Sequence, residues 1–203
     1  YNSVPAAGTV LPGVHIPRDF DTGDPSFDRF SKTEASIGYS FSHNFNDTWS
    51  VYQNFRYLYD QEAISYVGEL GVTPDGTQLE RTSYYNKGTV NTITLDNRAQ
   101  AKLNTGPLQH TVSFGIDWYR TDYDHIFQGG SAPNLSITNP QYYQSIAQPN
   151  STFATSGDET IDQIGLYAQD QIRLGRWAFL SGIRQDFADE NIKPLTNSKI
   201  TDQ

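Results

Sequence analysis

The 203 residues carry 23 Asp and Glu against 14 Lys and Arg, a net charge of −9, so no basic surface is available to displace the counterions of a nucleic acid. Cysteine and methionine are absent, which excludes disulfides and thiolate metal sites, whereas 11 Phe and 13 Tyr make the chain rich in aromatic rings. No stretch approaches the roughly 18 apolar residues of a spanning helix, but a spanning β-barrel signals by alternation and stays open.

In chain order, residues 1–32 are rich in Pro, Gly and Asp, show no alternation and read as the end of a loop. Ala35, Ile37, Tyr39, Phe41 and Phe45 then alternate with Glu34, Ser36, Gly38, Ser40, Ser42 and Asn44. After a turn at Asn46-Asp47, Trp49, Val51, Phe55, Tyr57 and Tyr59 alternate on the way out, which predicts a long hairpin. A connection from about residue 60 to 88 leads to Ile93, Leu95, Ala99, Ala101 and Leu103, alternating with Thr92, Thr94, Asp96, Arg98, Gln100 and Lys102. Thr105-Gly106-Pro107 turns the chain, and Leu108, Val112, Phe114, Ile116 and Trp118 continue one face of a second hairpin. A further connection spans about 124–160. The clearest hairpin follows, with Ile164, Leu166, Ala168, Ile172 and Leu174 opposite Gly165, Tyr167, Gln169, Gln171 and Arg173, a turn at Gly175-Arg176, and a return through Phe187; residues 188–203 begin another connection.

Three hairpins therefore have one greasy face and one wet face. Strands of about 12 to 14 residues, rising about 3.3 Å each and tilted near 45°, cover about 30 Å, the thickness of a hydrocarbon core. Short turns at one end and long connections at the other are the asymmetry of an outer-membrane barrel. Trp49, Phe45 and Trp177 beside the short turns, with Tyr57, Tyr59 and Trp118 towards the other end, fit two interfacial girdles. Asp170 interrupts the greasy face; nearness to the Gly175 turn puts it at the interface, or else a bulge turns it inward. Glu34, Arg56, Asp96, Arg98, Lys102, Arg173, Arg184 and Asp186 occupy the wet face, with Arg184 and Asp186 the foremost pair.

Gly165-Leu166-Tyr167-Ala168-Gln169-Asp170-Gln171-Ile172 and Gly182-Ile183-Arg184-Gln185-Asp186 resemble the mid-barrel signature of TonB-dependent outer-membrane siderophore receptors. Residues 36–49, ending Asn46-Asp47-Thr48-Trp49, with Gln53-Asn54-Phe55-Arg56, are similar to the ferrichrome-type branch. The resemblance implies an all-β chain: about six long antiparallel strands, residues 1–203, of a 22-stranded barrel with long extracellular loops, without the N-terminal plug and the C-terminal strands. It also implies the bacterial outer membrane, uptake of a ferric siderophore with TonB-supplied energy, contact with the TonB complex through the plug, and a monomeric barrel set in outer-membrane lipid. Iron would arrive wrapped in its chelator, so no metal ligand, cofactor or catalytic residue is expected among the side chains.

Continued alternation points Tyr119, Tyr123 and Phe127 into the lumen, with Tyr66 and Tyr84 from the preceding connection, as an aromatic bowl for a siderophore backbone. By resemblance, Tyr1 stands at a ligand-contacting Tyr of the ferrichrome branch, and Tyr66 and Phe127 match further contacts. Ser3 replaces a contacting Trp of that branch, which leaves a hydroxamate-type ligand other than ferrichrome itself as the expectation. Asp117, Asp122, Asp124 and His125 invite an oxygen-rich cation site, but alternation separates Asp117 from Asp122 and Asp124. Competing readings are a passive porin-like channel, a surface β-sandwich adhesion module and, third, a barrel hydrolase, for which no nucleophile and base stand at a suitable spacing.

Overall fold

The computed structural model describes residues 16–17, 19–153 and 155–195. They form β1 (Arg29–Asn44), β2 (Trp49–Val72), β3 (Gln78–Thr105), β4 (Leu108–Ser136), β5 (Ser151–Thr152), β6 (Gly157–Leu174) and β7 (Trp177–Pro194), with no helix among the described residues. All belong to one antiparallel sheet in the order β1-β2-β3-β4-β6-β7, and the two-residue β5 pairs with β4 beyond the end of β6. A sandwich requires a second sheet to cover the greasy face; among the described residues no second sheet does so.

The three predicted turns close the three hairpins. Gly106 (φ +60°) and Gly175 (φ +56°) each open a two-residue turn, and only the first central residue is left-handed, the arrangement in which glycine matches the turn to the strand twist. Asn46 instead shapes its turn with its side chain, whose Oδ1 accepts from the Thr48 and Trp49 backbone N–H groups at 2.9 and 2.8 Å.

Register across six strands is regular through the membrane, so residues sort into rows. One row reads Tyr39, Phe55, Leu95, Trp118, Ile164 and Phe187; the next, on the opposite face, reads Asn54, Asp96, Asp117, Gly165 and Asp186. Ile183 is 76% and Ile37 71% exposed, which is costly in water and natural against acyl chains. The outer margin of the greasy face turns polar at Trp118, whose Nε1 donates to Asp162 at 2.7 Å, and at Arg120, which bridges Asp162 and Asp122 at 2.9 and 3.0 Å. These groups mark headgroup height.

The long connections are shorter than the sequence suggests. β2 continues to Val72 and β3 starts at Gln78, leaving 73–77 as the turn, while β4 reaches Ser136 and β6 starts at Gly157. Beyond the membrane neither face meets lipid, so apolar and polar residues need not alternate, and the strand signal fades while backbone pairing persists. Near the tip the register slips at Leu70 in β2 and at Pro133 and Asn134 in β4, bulges that twist the outer strands. The face continuing from the lipid side is covered there by residues 16–28 and 137–144, around a small core of Ile16, Leu79, Leu135 and Ile137 flanked by Phe20, Val72 and Tyr142.

Asp170 lies in unbroken register opposite Val112 and Ser181, so no bulge turns it inward. It stays on the greasy face near the short turns and shares a hydrogen bond of 2.7 Å with His110 Nδ1. An acid this near the interface costs little, and the imidazole satisfies one of its oxygens. In the complete barrel, His110→Ala is expected to lower stability by about 1–3 kcal/mol by leaving the acid alone. Replacing both residues by Leu should recover most of that loss, as read by urea unfolding in detergent; equal losses in both variants would show that the pair is not what Asp170 depends on.

Candidate functional site

Inside the membrane-spanning height the wet face is a wall of paired charges. Arg184 donates to both oxygens of Asp117 at 2.6 and 3.0 Å and to both of Asp186 at 2.6 and 3.0 Å, and the Tyr167 hydroxyl donates to Asp96 at 2.8 Å. Arg98 lies 4.4 Å over the Tyr52 ring. Glycines make room for these side chains: a Cβ at Gly165 would collide with the Arg184 guanidinium, and one at Gly115 with the Tyr167 ring. The predicted Arg184–Asp186 pair is thus present, with Asp117 as a third member.

Above the polar margin the same face carries rings. Tyr66 and Tyr84 stack at 5.0 Å, Tyr84 and Phe127 at 5.7 Å, and Phe127 and Phe153 at 4.6 Å, a continuous ladder across β2, β3, β4 and the stretch after β5. One row nearer the membrane His125 stands next to Gly88, and below it Tyr123 stacks on His125 at 4.4 Å with planes 4° apart. The Tyr123 ring lies across Gly88, where a Cβ would sit 2.8 Å from it. Measured from the Leu108 turn, fifteen residues of tilted strand put Tyr123 about 35 Å up, above a greasy band about 25 Å tall. The rings therefore line the outer mouth.

A family model described as TonB dependent receptor-like, beta-barrel, matches residues 1–202. The chain belongs to the TonB-dependent receptor β-barrel family. It is 30% identical to the ferrioxamine B receptor of Salmonella typhimurium strain SL1344 over 98% of this chain and 28% of that protein. It is also 30% identical to the ferrichrome outer membrane transporter/phage receptor of Escherichia coli K12, over 94% of this chain and 29% of the relative. The fold matches the open form of the ferric-catecholate import receptor Fiu from E. coli K12 with a TM-score of 0.75 at 18% identity, covering 97% of this chain and 31% of that one. The chain spans less than a third of the length of the curated relatives it matches. Membership makes this sheet part of a barrel wall of that family and places it in the bacterial outer membrane.

Of the residues expected at the ligand site, Tyr66, Tyr84 and Phe127 come together in the ladder, while Tyr123 stacks on His125 instead. Tyr119 sits two rows below Tyr123, where its hydroxyl accepts from Thr121 Oγ1 at 2.7 Å. Tyr1 lies outside the described residues. Sequence reading missed Phe153, because an isolated ring after a two-residue strand has no periodicity to betray its face; β5 pairing and the Phe153 N–H bond to Phe127 O at 2.8 Å bring it in. His125 was legible by its odd-numbered parity with Tyr123 and Phe127. The cation site does not form: Asp117 and Asp122 face opposite sides, each with an arginine, and no metal-binding group occurs among the described residues.

On the far side of the mouth a buried carboxylate holds the outer segments together. Asp24, fully buried, accepts from Ser26 N–H and Oγ at 3.0 and 2.7 Å, from Tyr143 N–H at 3.1 Å and from Gln144 N–H at 3.1 Å. Tyr143 there adopts φ +62°, a left-handed conformation that a tyrosine avoids unless held. Arg81, 3% exposed, donates to the carbonyls of Pro133, Thr22 and Gly23 at 2.8, 3.1 and 2.9 Å, stitching β4 to the segment before β1. Burial pushes the Asp24 pKa up, but the donors from Ser26, Gln144 and Tyr143 outweigh it and hold the carboxyl below its ordinary value. A group depressed in the folded state gives stability above its unfolded pKa and loses it as pH falls through the folded one, so this clamp persists from pH 8 to 5 and yields only in stronger acid. Asp24→Ala is expected to open residues 137–150 by about 2 kcal/mol, raising protease cleavage there about thirtyfold in the intact receptor. The native rate should be flat between pH 8 and 5.

Proposed function

We propose that the complete protein binds a ferric siderophore of hydroxamate type at its outer mouth and takes it into the cell with energy supplied through TonB. The observation that carries this is the ladder Tyr66–Tyr84–Phe127–Phe153, two stacked contacts and one tilted one in series on the inner face. A ferric trihydroxamate presents an apolar shell of methylene chains studded with carbonyl oxygens; ring faces match the first and tyrosyl hydroxyls the second. The Salmonella and Escherichia relatives are named for ferrioxamine B and ferrichrome, which supports that ligand class over a citrate or a catecholate.

The paired wall charges below the ladder are better suited to contact another protein surface inside the lumen than to select cargo. Arg184, Asp117 and Asp186 satisfy one another along one side and leave the Asp96 to Tyr167 pair beside them. A plug supplied by the rest of the receptor, through which TonB would act, is the natural occupant.

In the complete receptor, Tyr84→Ala with Phe127→Ala is expected to weaken binding of a ferric trihydroxamate by about 5- to 150-fold, since each aromatic contact contributes about 0.5–1.5 kcal/mol beyond area alone. Fluorescence quenching in detergent measures it, and barrel assembly is checked by the same protein's heat-modifiable migration. Unaltered affinity in a correctly assembled double variant would remove the ladder from the ligand site.

A further inference from the structure

The mouth has a charge as well as a shape. From the Tyr123 row outward, register places Glu34, Asp60, Glu62 and Glu159 on the inner face, and Glu190 stands one row below. Among the described residues, Lys32 is the one lysine on that face at the mouth, and it is already engaged, 3.0 Å from Glu34 and 2.8 Å from Asp60. Arg29, Lys87 and Lys193 project from the opposite face, Arg81 is buried in the outer knot, and Arg56 lies two rows nearer the membrane. Glu62 and Glu159 make no ion pair with any described residue.

These two carboxylates flank one ring. Glu159 is directly opposite Tyr123 on the neighbouring strand, and Glu62 reaches it across Gly88, whose missing side chain lets the Tyr123 ring lie towards β2. Burial, then the charges of Glu62 and Glu159, push the Tyr123 phenol's pKa up from its ordinary value. His125 covers one face of this ring, and Lys32, which stands opposite Glu62 in register, is held by Glu34 and Asp60. The remaining ring face, beside two carboxylates that make no ion pair among the described residues, is a receptor for an alkylammonium: the ring quadrupole and both charges attract a cation.

Resting on the siderophore reading above, we propose that this mouth selects ferric hydroxamates of net positive charge, seating a protonated amine arm over Tyr123 between Glu62 and Glu159 while the chelate body lies against Tyr84 and Phe127. The acidic face also steers such a ligand inward and repels anionic chelates, so discrimination falls as salt rises.

The test uses the complete receptor and two ferric trihydroxamates identical except that a terminal amine is free in one and N-acetylated in the other. The free-amine chelate is expected to bind at least about tenfold more tightly at low salt, the ratio shrinking towards one as NaCl is raised. Glu62→Gln with Glu159→Gln is expected to bring the two affinities together. Equal affinities in the native receptor at low salt, or a ratio that survives the double substitution, would overturn the charge selection alone. Native receptor that binds neither chelate would overturn the siderophore reading and this inference with it. If the double variant fails to assemble, the salt series on native receptor decides: a ratio insensitive to NaCl rejects the proposal.

Discussion

Lipid offers no partner to a backbone N–H or C=O, so a chain that crosses it as strands must satisfy every group along the ladder. That requirement explains why β1 to β4, β6 and β7 keep unbroken register throughout the greasy band and reserve their bulges for the outer tips, where water can reach a disrupted ladder. Period-two geometry does the rest. With register held, each row is committed to one face, and a single row can pair Trp118 with Ile164 while its neighbour pairs Asp117 with Gly165 and Asp186.

The two faces then follow different rules. Lipid accepts apolar side chains without packing them, so Ile37, Ile183 and Phe187 stand out exposed from the sheet. The inner face must satisfy its polar groups within the protein, and does so by setting large side chains over glycine: Tyr167 over Gly115, Arg184 over Gly165, Tyr123 over Gly88. Glycine in a strand interior weakens it, yet here the cost is offset because its absent side chain creates the bed on which a functional ring or guanidinium lies.

Above the membrane the roles are redistributed. The face that met lipid acquires its own small core and a buried clamp of Asp24 and Arg81, which fastens the segments before β1 and after β4 to the outer strands. Support on that side leaves the opposite side free to present rings and carboxylates at the mouth. A ladder of stacked rings is only as fixed as the strands beneath it, and those strands are held from behind.

What the residues determined unaided was the membrane wall: three hairpins, their turns at Asn46, Gly106 and Gly175, which face met lipid, the Arg184–Asp186 pair, and the inward parity of Tyr66, Tyr84, Tyr123 and Phe127. All of it rests on alternation, which a two-faced environment imposes on the order of amino acids itself. Where that environment ends, so does the signal. Only tertiary structure showed that β2, β3 and β4 run on past the lipid, that Asp170 keeps its outward place by leaning on His110, that Phe153 completes the ladder, and that Asp24 anchors residues more than a hundred positions away. Each of these depends on contacts between segments distant in the chain, and no local pattern records such a contact.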